Sequence, residues 1–120
     1  MTIKAKLTAN GVKPDLANVT GGTVTPGLTA TGSTATDAYK LSLDDFHLFT
    51  TVALGTGCIL AQNYAPSDDV VVANDGANPL NIFPPATGAM NGGSVGWPLQ
   101  IAAGTAARLK TQDGINWWSA

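Results

Sequence analysis

The sequence predicts an all-β fold, a single β-sandwich or jelly-roll-like domain of about eight short strands, and three observations predict it. The 120-residue chain has no glutamate and only 12% charged residues, against about 25% in ordinary domains, so the charged, helix-favouring residues that cover solvated helices are scarce. Apolar and polar residues alternate with a period of two in several stretches, as strands with one buried face require. Gly, Pro, Asn and Asp clusters punctuate the chain at intervals of roughly 8–12 residues, the turn spacing of sandwiches and small barrels.

Residues 1–36 contain no aromatic residue and only isolated aliphatics, among them Ile3, Leu7, Val12, Leu16, Val19 and Val24. Such a segment cannot build a core. We read 1–24 as an extended N-terminal arm and 25–120 as the domain, with Thr23-Val24-Thr25 and Leu28-Thr29-Ala30 able to pair as short strands. Lysines alternating with aliphatics in the arm suit addition to the edge of a neighbour's sheet, and a disordered tail is the plainer reading.

From Asp37 the strands follow one another. Phe46, Leu48, Thr50 and Val52 alternate with Asp45, His47, Phe49 and Thr51, which puts Phe46, Leu48 and Val52 on the buried face and His47 on the other. Gly57-Cys58-Ile59-Leu60-Ala61 and Val70-Val71-Val72-Ala73 are short apolar runs of the kind buried on both faces. Asn74-Asp75-Gly76 is a tight-turn signal, since these residues tolerate positive φ. It leads into Leu80 and Ile82, both read as inward, before Pro84-Pro85 ends the strand. Residues 86–98 have no periodicity and form the longest loop. Alternation resumes at Leu99, Ile101 and Ala103, and Gly104 turns the chain into 107–111, whose pattern places Arg108 and Lys110 on the wet face. Asp113-Gly114 is a hairpin signal before a final strand at 115–118. No internal repeat suggests a solenoid.

Charge and cysteine content exclude several classes of function. Residues 1–36 carry Lys4, Lys6 and Lys13 against Asp15, and residues 37–120 carry three cations against seven aspartates, within a net charge of −2. Neither part gathers the several cations that a phosphate backbone needs, so nucleic acid is not an expected partner. The lone Cys58 cannot form an intrachain disulfide or a multi-cysteine metal site, which suits assembly in a reducing cytoplasm. Neither an apolar signal core nor a run of about 18 apolar residues is present, so a soluble chain without membrane contact is expected.

The inventory for catalysis is thin: one histidine, one cysteine and no glutamate. His47 reads as a surface or interface residue, and Cys58 as a small core residue rather than a nucleophile activated by His47. Asn91-Gly92-Gly93-Ser94 lacks the lysine and the strand-to-helix context of a phosphate loop. Asp44-Asp45 and Asp68-Asp69 have oxygen ligands for a hard cation, but neighbours on a strand face opposite ways, so turn capping is the better reading. Asn18-Val19-Thr20 fits the glycosylation pattern and receives no role. No catalytic, cofactor or metal residue is expected.

The aromatic residues are more informative. Trp117 and Trp118 cannot both point inward, and Trp97 lies in a Gly-rich loop. Exposed aromatics anchor protein interfaces. They also form sugar-stacking platforms, but such sites add several converging polar groups, and the sequence supplies few.

The run Asp69-Val70-Val71-Val72-Ala73-Asn74-Asp75-Gly76, then Asn81-Ile82-Phe83-Pro84-Pro85, Met90-Asn91-Gly92-Gly93, Ala102-Ala103-Gly104 and Asp113-Gly114-Ile115-Asn116-Trp117 resembles a group of small structural proteins of tailed bacteriophages, of the capsid decoration (cement) type. Met90 replaces an aliphatic residue of that pattern. The resemblance covers roughly the last half of the chain. It implies a virion protein on the capsid surface, assembled in the host cytoplasm, with the major capsid protein and its own copies, as a trimer, for partners. Together with the residue reading it nominates Ile3, Leu7, Val12, Leu16, Val19, Val24, Phe49, Phe83, Trp97, Trp117 and Trp118 as interface residues. The alternative is a receptor- or glycan-binding module of a tail or head fibre.

Overall fold

Turn chemistry cuts the chain into short extended pieces, and the computed structural model, which describes residues 24–119, contains nine of them and no helix in that span. The strands are β1 (Val24–Thr29), β2 (Tyr39–Lys40), β3 (Phe46–Thr51), β4 (Gly57–Ile59), β5 (Asp69–Asn74), β6 (Leu80–Phe83), β7 (Leu99–Ile101), β8 (Thr105–Thr111) and β9 (Trp117–Ser119). The all-β expectation holds. The nominated residues Ile3, Leu7, Val12, Leu16 and Val19, and nearly all of the 1–24 arm, lie outside the described residues.

The strands form two sheets, a five-stranded one in the order β1-β3-β5-β8-β9 and a four-stranded one in the order β2-β4-β6-β7. From β1 to β6 the chain passes to the other sheet after every strand, so β1, β3 and β5 pair in parallel in the first sheet and β2, β4 and β6 in the second. Parallel neighbours need a long crossover, and here each crossover is a strand of the opposite sheet. The result is a coil of three turns rather than the antiparallel wiring of a jelly-roll. Val24 lies beside Phe46 and Phe46 beside Val71, intervals of 22 and 25 residues, whereas Tyr39, Cys58 and Ile82 are spaced by 19 and 24. The unequal turns explain why no repeat is visible in the sequence.

Antiparallel strands close one end of the coil. β7 pairs with β6, β8 with β5, and β9 with β8. Asn74-Asp75-Gly76 is a turn, as expected, but it carries the chain between sheets. The buried Asn74 amide donates to the Asn78 carbonyl (2.8 Å) and the Ile101 carbonyl (3.3 Å), and its oxygen accepts from Gly76 N–H (3.0 Å). A buried amide satisfied in this way fixes the crossing. The turn at Asp113-Gly114 does return the chain within one sheet, and Gly114 has φ +82° with its Cα so close to the Tyr64 carbonyl that a Cβ would sit 2.3 Å from that oxygen. Only glycine fits there.

The core lies between the sheets. Leu28, Phe49, Val70, Val72, Leu109 and Trp117 from one meet Cys58, Leu80, Ile82 and Ile101 from the other. Edge-to-face rings, Tyr39 on Phe49 at 5.8 Å and Tyr64 on Trp117 at 5.3 Å, close its flanks, a geometry the ring quadrupole favours. Leu80 and Ile82 are inward, and Arg108 and Lys110 outward, as the alternation requires.

β3 reverses the expectation. His47 and Phe49 are fully buried, while Phe46 and Leu48 lie on the opposite, half-buried face. β5 likewise alternates, with Val70 and Val72 sealed and Val71 and Ala73 half-buried, instead of being covered on both faces. Val52 is buried, but it follows the end of β3, where the chain leaves the sheet.

Candidate interaction surfaces

The outward residues of the five-stranded sheet fall into register. Val24, Phe46, Val71 and Arg108 form one cross-strand row, Leu48, Ala73 and Ala106 a second, and Asp69, Lys110 and Trp118 a third. The β1, β3 and β5 part of this face is apolar, with Val24 60% exposed and Phe46, Leu48, Val71 and Ala73 half-buried. The β8 and β9 part is polar apart from Ala106 and Trp118, the latter 47% exposed. There Asp69 accepts ion pairs from Lys110 (3.3 Å) and Arg108 (3.9 Å). An apolar stripe bounded by charges is the usual anatomy of a protein contact.

A second surface is built by the 86–98 loop, which the closing strand holds in place. The Asn91 amide N–H donates to the Trp117 carbonyl (2.8 Å), Trp117 N–H to the Ala89 carbonyl (3.0 Å), and Ser119 N–H to the Asn91 side-chain oxygen (2.7 Å). Ala89 N–H donates to the Asn116 side chain (3.0 Å). Gly88 lies against Ile115, where a Cβ would stand 2.0 Å from the carbonyl oxygen, and the Trp118 ring packs close over Gly92. The loop is therefore anchored at both ends of β9, and it carries Val95 and Trp97 outward, 66% and 69% exposed.

The nominated residues divide. Val24, Trp97 and Trp118 are exposed. Phe49 and Trp117 are fully buried and Phe83 nearly so, so these three are core residues and offer nothing to a partner. Of the Trp117-Trp118 pair one faces in and the other out, as strand geometry demands. Phe46, Leu48 and Val71 also face outward, although the sequence pattern places the first two in the core and covers the third on both sides. Leu43 and Leu54, 52% and 81% exposed, lie in connections before β3 and β4; their lack of any strand periodicity was the available signal.

His47 is in the interior, a correction to its reading as a surface residue. Neither ring nitrogen makes a hydrogen bond of good geometry among the described residues. Burial holds its pKa below the usual histidine value, while the Asp44 backbone and the Asp44 and Asp45 charges pull in the opposite direction. Burial pushes the Cys58 thiol well up, which keeps it protonated and unreactive. Tyr64 is raised by burial and by the charges of Asp45, Asp44 and Asp68; its hydroxyl donates to the Asp44 carbonyl at 2.6 Å.

The two acidic pairs serve local structure. The Asp44 carboxylate accepts from Ser42 (2.8 Å) and from Thr25 on β1, Asp68 accepts from Ala65 N–H (2.9 Å), and Asp69 holds the two cations. Among the described residues no three His, Cys, Asp or Glu side chains come together. No family model matches the chain, and no curated protein and no solved structure is significantly similar to it.

Proposed function

We propose that this chain is a non-enzymatic structural protein of a tailed-bacteriophage particle, a capsid decoration protein that binds the outer surface of the head as a symmetric oligomer, a trimer, and stabilises the shell by bridging major capsid subunits. In layer terms its two sheets act as a β-sandwich. The observation that carries the reading is the apolar outer stripe of Val24, Phe46, Leu48 and Val71, together with the outward Trp97 and Trp118 elsewhere on the surface. A protein with so little charge gains by covering such surface, and closed symmetry gives each copy the same contacts. Bridging several shell subunits at once multiplies weak contacts into strong attachment. The resemblance of the last half of the chain supplies the particle, and nucleic acid, membrane and cofactors have no part in this reading.

The test is made on particles. Heads lacking the protein should release their genome at a lower temperature than complete heads, and added protein should bind them and restore the difference. A Phe46→Ser/Val71→Ser variant should fail to oligomerise by light scattering and should leave heads bare. Full oligomerisation and binding by that variant, with an unchanged release temperature, would sink the proposal. Removing residues 1–22 tests the arm in the same assay, since equal occupancy and heat resistance without them would discard its bridging role.

A further inference from the structure

We infer that the cleft between the ends of β4 and β6 and the β8–β9 turn is a binding site for a neutral saccharide. It is independent of the oligomer proposed above. The cleft is open to solvent and spans about 650 Å³, within the range of roughly 300–1,000 Å³ typical of small-molecule sites. Three separate segments bring polar groups to it: Gln62 and Asn63 from the first, Thr87 from the second, and Asp113 from the third. Ala86 and Ile115 add exposed apolar surface between them, the latter 38% exposed, over the buried Pro85.

The chemistry of the lining selects the class of ligand. The side-chain amides of Gln62 and Asn63 are exposed and make no hydrogen bond among the described residues, so each retains donors and an acceptor. The Asp113 carboxylate is fixed by N–H groups of Ile115 (3.0 Å) and Asn116 (2.8 Å) and by the Asn116 amide (2.9 Å). Those bonds hold its pKa down, leaving it an ionised acceptor of set orientation. Thr87 sits at φ +67°, a conformation that β-branched residues rarely adopt, and its strained backbone forms one wall. Among the described residues no cation lines the cleft, which disfavours phosphate, sulfate and sialic acid. The polar groups disfavour a lipid. A neutral polyhydroxylated ring, offering hydroxyls to amides and carboxylate and its C–H face to Ala86 and Ile115, matches both.

The experiment is an array of neutral and sialylated oligosaccharides, followed by calorimetry on the best neutral binder with the intact chain. Binding of neutral glycans is expected, with at least a tenfold loss in the Gln62→Ala/Asn63→Ala variant, whose exposed positions leave the melting temperature unchanged. Trp97→Ala, altered outside the cleft, should bind as the parent does. Absence of any glycan binding, preference for sialylated ligands, or loss of binding in Trp97→Ala with retention in the double variant would each overturn the inference.

Discussion

On the inner face of the five-stranded sheet, His47, Phe49, Val70, Val72, Leu109 and Trp117 are sealed from solvent, whereas on the outer face Phe46, Leu48, Val71 and Ala73 remain partly accessible and the row of Lys110 ends in Trp118. Both faces are rich in apolar residues, and the inner one even carries the only histidine. What separates them is not hydrophobicity but the presence of a second sheet on one side. The inner face is committed to the core, and the outer face stays partly accessible.

Paired substitutions across the sheet put that division at risk. Trp117→Ala should cost about 3–5 kcal/mol of unfolding free energy, as truncation of a buried aromatic does, while Trp118→Ala should stay within about 0.5 kcal/mol; urea denaturation of both measures the gap. Similar losses in the two would mean that the outer face is as structural as the inner. Phe49→Ala and Phe46→Ala repeat the comparison one strand over, and Phe46→Ala should reduce self-association more than it reduces stability.

His47 gives a smaller effect of distinct form. Its folded pKa lies below the unfolded value of about 6.5, so the unfolded chain takes up the proton first. The stability tied to the neutral ring is therefore complete above about pH 6.5 and declines as the pH falls through the lowered folded pKa. His47→Leu should remove that acid slope, measured as the urea midpoint at pH 7.5 and pH 5, and should leave stability at pH 7.5 equal or higher. An unpartnered buried polar group costs about 1–3 kcal/mol, which sets the scale. A slope that persists in His47→Leu would assign the acid sensitivity to other groups. A small, salt-dependent change is expected from Lys110→Ala, since its pairing with Asp69 is largely exposed. About 0.2–1 kcal/mol is typical of such pairs, and the difference should vanish in 1 M salt.

The same two faces explain which parts of the fold were legible in the sequence. β8 could be read correctly because Arg108 and Lys110 mark one side unambiguously. β3 could not, because Phe46 and Leu48 on one side and Phe49 on the other leave both parities apolar, and a period of two says nothing about which side meets the second sheet. Pairing direction was hidden for a related reason: Asn74-Asp75-Gly76 announces a change of course without saying which sheet receives the chain. For the candidate surfaces, strand geometry required one of Trp117 and Trp118 to face out, and Trp97 was legible from its glycines. The cleft was not, because Gln62, Thr87 and Asp113 are brought together only by the coil.

The placement of β5 has a kinetic consequence. It is the middle strand of its sheet, parallel to β3 on one side and antiparallel to β8 on the other, with Val72 facing Ala107. During synthesis the first three turns of the coil leave the ribosome with β5 still lacking one neighbour and Val70 and Val72 still lacking Leu109. Loop-closure entropy must be met before those distant contacts form, so folding should be slow for a chain of this size and should begin in earnest only once β8 has emerged.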